Sequence, residues 1–185
     1  MSLPHGLLGL LEFTSHTGYD LARMFQESIN KFWHAQASQI YRELNRMEEN
    51  GLVTSETVIQ HGRPNKRVYT ITDKGRAEFN EWMNTPAPLF KNTHEPIYMY
   101  MFFGANAPEA TLERLKTCRD SIMFNLESQR EINQETIYRY KTLIPDGEKR
   151  SIYWQMTQDL GIAKAEAVLQ WAEDCIKKLE AIKKC

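Results

Sequence analysis

The sequence predicts a mainly α fold in two parts: three helices with a two-stranded wing, followed by an antiparallel helical domain. Three observations predict it. Apolar residues in the first 50 positions recur at helical spacing. The period drops to two between residues 52 and 71. Beyond a proline break at Thr85-Pro86-Ala87-Pro88 the pattern is helical to the end.

The elements follow in order. Leu7, Leu8, Leu10, Leu11 and Phe13 suit a first helix, with Pro4 in its first turn, where a missing N–H costs little. Thr17-Gly18 breaks the chain. Tyr19 to Phe32 reads as a second helix, with Leu21, Met24 or Phe25, Ser28 and Ile29 on one stripe. Trp33 to Ala37 is a connector. Gln39 to Asn50 is a third helix built on Ile40, Leu44 and Met47, and Asn50-Gly51 stops it because glycine tolerates the left-handed cap. Leu52 to Gln60 suits a strand, His61 to Asn65 a turn, and Val68 to Ile71 the return strand. Thr72 suits the N-cap of a fourth helix reaching about Met83. This order is that of a winged helix-turn-helix. In the second half, Pro96 to Phe103 is an apolar segment. Pro108 opens a long helix reaching Leu143, Pro145-Asp146-Gly147 turns the chain, and a last helix starts near Ser151.

Composition narrows the function. The 185 residues hold 23 Lys+Arg against 24 Asp+Glu, so no uniformly basic nucleic-acid coat is present, although a local basic patch is compatible with this balance. No apolar run reaches the roughly 18 residues of a membrane span. Met1 to His5 lacks the pattern of a signal peptide, and cytoplasmic location is the expectation. Cys118, Cys175 and Cys185 are odd in number and far apart, against a disulfide scaffold or zinc cluster. His5, His16, His34, His61 and His94 have no metal-ligand spacing, and no phosphate loop or nucleophile motif occurs. No enzyme, cofactor or metal is expected.

Two features point to DNA. With Ile40 and Leu44 turned to the core, the third helix leaves Ser38, Gln39, Arg42, Asn45 and Arg46 on other faces. Gln, Asn and Arg can read base edges in a major groove, while Ser38 and Tyr41 suit phosphates. Taken alone, this helix reads more readily as an ordinary amphipathic helix with a solvated polar face. The stretch His61 to Arg76 carries five Lys/Arg and one Asp, a charge of +4 in a chain at −1. His61, Arg63, Lys66 and Arg67 cluster at the hairpin tip, where they suit phosphates or a minor groove. Charged turns are common, and it is the coupling of basic hairpin to polar helix that is specific. A protein-interaction module on a retained winged-helix scaffold is the competing reading, because the rest of the chain is acidic.

These motifs resemble a known family. Gly18-Tyr19-Asp20-Leu21, Phe32-Trp33, Gln39-Ile40-Tyr41-Arg42-Glu43-Leu44, Glu49-Asn50-Gly51-Leu52-Val53 and Gly62 through Thr72 occur in the order found in the PadR family of transcriptional regulators. The opening residues and the helical second half resemble its virulence-activator branch. The resemblance implies a homodimer on double-stranded promoter DNA, with Tyr19, Gln39, Tyr41 and Arg42 at the helix-turn-helix and Arg63, Lys66 and Arg67 on the wing. It implies a DNA-binding domain over 1–84, a linker over 85–95 and a helical dimerisation domain over 96–185. The family often has Ser where Gln36 stands. Gln is a poor N-cap, so this terminus is expected to be looser or capped by another group, and Gln36 itself sits where the helix enters a groove.

The last helix sets Val168, Trp171, Cys175, Leu179 and Ile182 on one stripe, with Leu160 further back, as candidates for dimerisation. Packing within the chain is the alternative. Trp33, Tyr98, Met101 and Phe102 are candidates for a small apolar effector, against the commoner reading that the Pro96 to Phe103 run is simply core.

Overall fold

The computed structural model describes residues 3–60, 62, 65–86 and 95–182, with backbone alone for 127–133. The chain divides into two compact units, Met1–Pro88 and Leu89–Cys185.

The first unit runs α1 (Leu3–Leu11), β1 (His16–Thr17), α2 (Gly18–Glu27), a 3-10 turn (Ile29–Lys31), α3 (Ala37–Glu49), β2 (Val53–Val58), β3 (Lys66–Ile71) and α4 (Asp73–Asn84). α1 packs against α2, α3 and α4. Its Leu7, Leu8 and Leu11 meet a core made with Leu21, Phe25, Ile40, Leu44, Met47 and Val53, all essentially without solvent access. Each such side chain contributes about 1.5–3 kcal/mol of transfer free energy, which fixes α3 by its Ile40-Leu44-Met47 stripe.

Polar groups set the helix ends. Thr17 Oγ1 accepts from the Asp20 N–H at 3.0 Å and so starts α2. α2 stops at Glu27, short of the expected Phe32. The Ser28 hydroxyl donates to the Met24 carbonyl at 2.6 Å, competing with the backbone for the next helical turn. α3 stops as expected at Asn50, followed by Gly51 at φ 69°. Thr72 caps α4 as expected, accepting from the Gly75 N–H at 3.0 Å while donating to the Gly51 and Leu52 carbonyls.

The sheet has three strands in the order β1–β3–β2, all antiparallel. The two-stranded wing of the sequence reading is β2–β3, in register from Val53↔Ile71 to Val58↔Lys66. β1 adds His16↔Tyr69 and Thr17↔Val68. At two residues it is too short to carry a periodic signal.

In the second unit, α5 (Pro96–Phe102), a 3-10 turn (Gly104–Asn106), α6 (Pro108–Leu143) and α7 (Gly147–Ile182) follow one another. α6 and α7 form an antiparallel hairpin. Lys141 pairs with Glu148 near the turn, while Lys116 reaches Glu180 at the far end. Leu112, Leu115, Ala172 and Ile176 are buried between them. α7 begins earlier than the expected Ser151, because Asp146 at φ 53° completes the turn. Gly147 then lies so close to the Lys141 carbonyl that a Cβ would sit 1.9 Å from its oxygen. The core reading of residues 96–103 is corrected for this unit. Tyr98, Met99, Tyr100, Phe102 and Phe103 are exposed, and only Met101 packs against the hairpin core.

Candidate nucleic-acid interface

At 100° per residue, the buried stripe of α3 fixes what its other faces present. Opposite Ile40, Leu44 and Met47 runs a ridge of Ser38, Arg42, Asn45 and Glu49, all exposed. Among the described residues, Ser38 and Arg42 use neither hydroxyl nor guanidinium in a side-chain hydrogen bond or ion pair. Tyr41 and Glu48 lie on the flank towards the sheet. Gln39, Glu43, Arg46 and Asn50 lie on the other flank, where they line an open cavity of about 630 Å³ with Leu3, Trp33, His34 and Lys74.

The start of α3 is capped by its own third residue. Gln39 Oε1 accepts from the Gln36 N–H at 2.8 Å. This is the other capping group that a poor N-cap residue requires. Gln36 and Gln39 are both exposed at the entering end of the helix.

The sheet-facing flank is tied to the wing. Pleating puts Arg67 and Tyr69 on one face of β3, with Ser55 and Thr57 on the same face of β2. Tyr69 is buried there, and burial raises the pKa of its phenol, with the Arg67 guanidinium opposing. Arg67 lies over the Tyr69 ring at 5.3 Å. Its Nε donates to Ser55 Oγ at 2.6 Å, its Nη1 to Asn45 Oδ1 at 3.0 Å, and its Nη2 forms an ion pair with Glu48. Tyr41 rests its ring on the start of α2. A Cβ on Gly18 would lie 2.8 Å from Tyr41 Cε1, so glycine permits the approach. Tyr19 follows, 68% exposed, with the Arg23 guanidinium 5.9 Å from its ring.

The expected +4 patch is smaller than its count. Arg67 is neutralised by Glu48, and Arg76 by Glu12 at 3.0 Å. Lys74 donates to the Asn50 carbonyl at 2.9 Å. Lys66 is exposed at the start of β3 and forms no ion pair among the described residues. His61 and Arg63 lie outside the described residues. Glu48, Glu12 and Ser55 were missed from sequence because their partners are distant in the chain. The alternation of β3 is the one signal that would have turned Arg67 towards α3.

The candidates in the second unit divide. Cys175 and Leu179 pack against the α6–α7 core. Leu160, Val168, Trp171 and Ile182 stay exposed, beside Phe124, Tyr138, Ile152, Tyr153 and Met156. The candidate effector residues also divide: Trp33 lines the cavity beside α3, Met101 packs in the hairpin, and Tyr98 and Phe102 are exposed.

Three helices with a β-wing, the third helix carrying a polar ridge, define a winged helix-turn-helix protein. Residues 7–81 match the transcriptional regulator PadR-like family, and residues 96–180 match the virulence activator alpha C-terminal family. The chain thus carries a PadR-like domain followed by a virulence-activator C-terminal domain. It is 51% identical to a probable transcriptional regulator of Mycobacterium tuberculosis over 86 residues, which is 46% of either chain. It is 34% identical to the negative transcriptional regulator PadR of Bacillus subtilis over 101 residues, 55% of this chain and 56% of that one. The chain thus spans about half the length of the curated relatives it matches. The structure of the Vibrio cholerae virulence activator AphA superposes with a TM-score of 0.77 at 29% identity, covering 98% of this chain and 99% of that one. Bacillus subtilis PadR, solved with operator DNA, superposes with a TM-score of 0.78 at 22% identity, covering 96% and 97%. The family consists of transcriptional regulators, not enzymes. No helix among the described residues is long and apolar enough to cross a membrane.

Proposed function

We propose that this chain is a sequence-specific regulator that binds double-stranded promoter DNA as a homodimer. The observation that carries the reading is the exposed Ser38–Arg42–Asn45 ridge, set opposite the core stripe of α3 and braced against the wing. A helix so held can enter a major groove with hydrogen-bonding groups foremost. Lys66 at the start of β3 supplies backbone charge. That one relative was solved with operator DNA supports the same reading.

The exposed apolar side chains of α6 and α7 support the dimer. A two-helix hairpin covers only one face of each helix, and Ile152, Met156 and Leu160 stay exposed among the described residues. A dimer also supplies two recognition helices for two half-sites. The effector part of the reading rests on the Trp33 cavity, which borders Gln39 and Arg46 of α3, so a molecule seated there would press on the recognition helix. In this reading residues 1–84 bind DNA, 85–95 link, and 96–185 dimerise.

The test is retention of genomic fragments by the purified protein at two salt concentrations. Selective retention that weakens steeply with salt is the expected result. Retention of nothing at low salt, together with capture of the chain by another protein, would replace the reading with that of an interaction module.

A further inference from the structure

We propose that Arg67 is a positioning residue that fixes the amide of Asn45, so that Asn45 presents only its NH2 group and selects a base edge with an acceptor. The inference rests on the DNA-binding reading and adds to it a specificity at one base position.

An arginine carries five N–H donors and no acceptor. The atom of Asn45 that faces Arg67 Nη1 at 3.0 Å is therefore the amide oxygen, and chemistry permits no other orientation. Arg67 itself is held. Its remaining groups are engaged by Ser55 Oγ at 2.6 Å and by the Glu48 carboxylate, over the face of buried Tyr69. Glu48 is held in turn, accepting from the Ser55 hydroxyl at 2.7 Å. The oxygen of Asn45 is thus turned to the wing, and its nitrogen points away from it. Among the described residues that nitrogen donates to nothing. Asn45 lies on the exposed ridge of α3, so the NH2 group is what it offers to a groove.

An unconstrained asparagine reads adenine with both atoms, donating to N7 and accepting from N6. With its oxygen turned to the wing, Asn45 aims only its donor at the groove. Guanine O6 and N7, adenine N7 and thymine O4 accept it, while the cytosine edge offers only a donor. The chain should disfavour cytosine at the position Asn45 meets, by about tenfold for one hydrogen bond of this kind. Arg67 contributes no phosphate contact of its own, because its charge is spent on Glu48.

The experiment is selection from a randomised DNA library by the full-length chain, read for base preference at each position, with salt slopes measured on the winning sequence. Asn45→Ala should erase the preference at one position of each half-site and leave the others. Asn45→Asp presents oxygens instead and should turn that same position towards cytosine; being on the exposed ridge, it leaves the fold intact. Arg67→Met should relax the preference at the Asn45 position, allowing adenine to gain, with an unchanged salt slope. Lys66→Ala should do the reverse, lowering the slope by about one with every preference kept. A lowered slope with unchanged preferences in Arg67→Met would make Arg67 a phosphate ligand and overturn the proposal, as would a cytosine-blind Asn45→Asp. Should Arg67→Met fail to fold, Asn45→Asp decides alone. A wild-type chain that selects no sequence removes the DNA-binding reading itself, an outcome distinct from selection with no change at the Asn45 position.

Discussion

Gln39 turns its side chain back along α3, and its Oε1 accepts from the Gln36 N–H at 2.8 Å. One residue of a polar helix face is thereby committed to the helix end. This matters because Gln39 also stands among the residues proposed to meet DNA. The two roles separate by substitution. Gln39→Ala should lose about 0.5–1 kcal/mol of stability, read as a small fall in Tm. Gln39→Glu keeps the acceptor, favours the positive helix start, and should keep or slightly raise Tm while weakening DNA binding by charge. Were Gln39→Ala to keep its Tm and lose affinity, the side chain would belong to the DNA and not to the cap.

Two helical glycines should respond oppositely to alanine. At Gly75, in the first turn of α4, a Cβ would sit 2.1 Å from the Leu52 carbonyl oxygen and 2.9 Å from Ile71 Cγ1. Backbone must move to admit it, so Gly75→Ala should cost about 2–4 kcal/mol or prevent folding of the first unit. At Gly161, within α7, nothing lies within 4 Å of a built Cβ. Gly161→Ala should stabilise by about 0.5–1 kcal/mol through helix propensity. Chemical denaturation of both variants checks the pair; equal effects would mean that the closeness of α4 to the start of β2 is not limiting.

The contrast between those glycines shows where sequence is legible. Ile40, Leu44 and Met47 name the buried side of α3 by spacing alone, and Gly51 names its end. The β2–β3 hairpin is equally plain from its change of period. What spacing does not carry is partnership across the chain. Glu48 and Arg67 are 19 residues apart. Nothing local says that a wing cation is neutralised, so the charge count at the hairpin exceeds what the structure leaves open. The same limit applies to α7. Its stripe reads as one surface, yet Cys175 and Leu179 turn into the hairpin while Val168 and Ile182 do not. Side chains packed within the hairpin and side chains left exposed share one apolar stripe, and spacing does not separate them.

That division makes the dimer proposal testable. Leu160 is 48% exposed and Cys175 half-buried against the core. Leu160→Asp should shift the sedimenting species to monomer and lower operator affinity by about 10²-fold through loss of the second half-site. Cys175→Ser should lower Tm and keep the dimer. An undiminished dimer in Leu160→Asp would move the interface off this part of α7.

The stability of the first unit should also depend on pH through His16. Its Nε2 is buried with no hydrogen-bond partner among the described residues, and β1 holds it opposite Tyr69. Burial lowers its pKa from the ordinary 6.5, and Asp20 opposes the shift without cancelling it. His5, stacked on Trp82 at 4.7 Å, is lowered as well, chiefly by burial. The folded state therefore keeps both rings neutral at a pH where the unfolded chain has begun to bind protons. In that window the unfolded state binds more protons, so stability falls as pH falls. The loss should begin near 6.5 and level off once pH is below the folded values. Urea midpoints at pH 7.5, 6.5 and 5.5 should decrease in that order. His16→Asn, which carries no titrating ring, should flatten part of the decline, and combining it with His5→Asn should flatten more. A wild-type midpoint that rises on acidification would mean that Asp20 and Glu78 outweigh burial at these two sites.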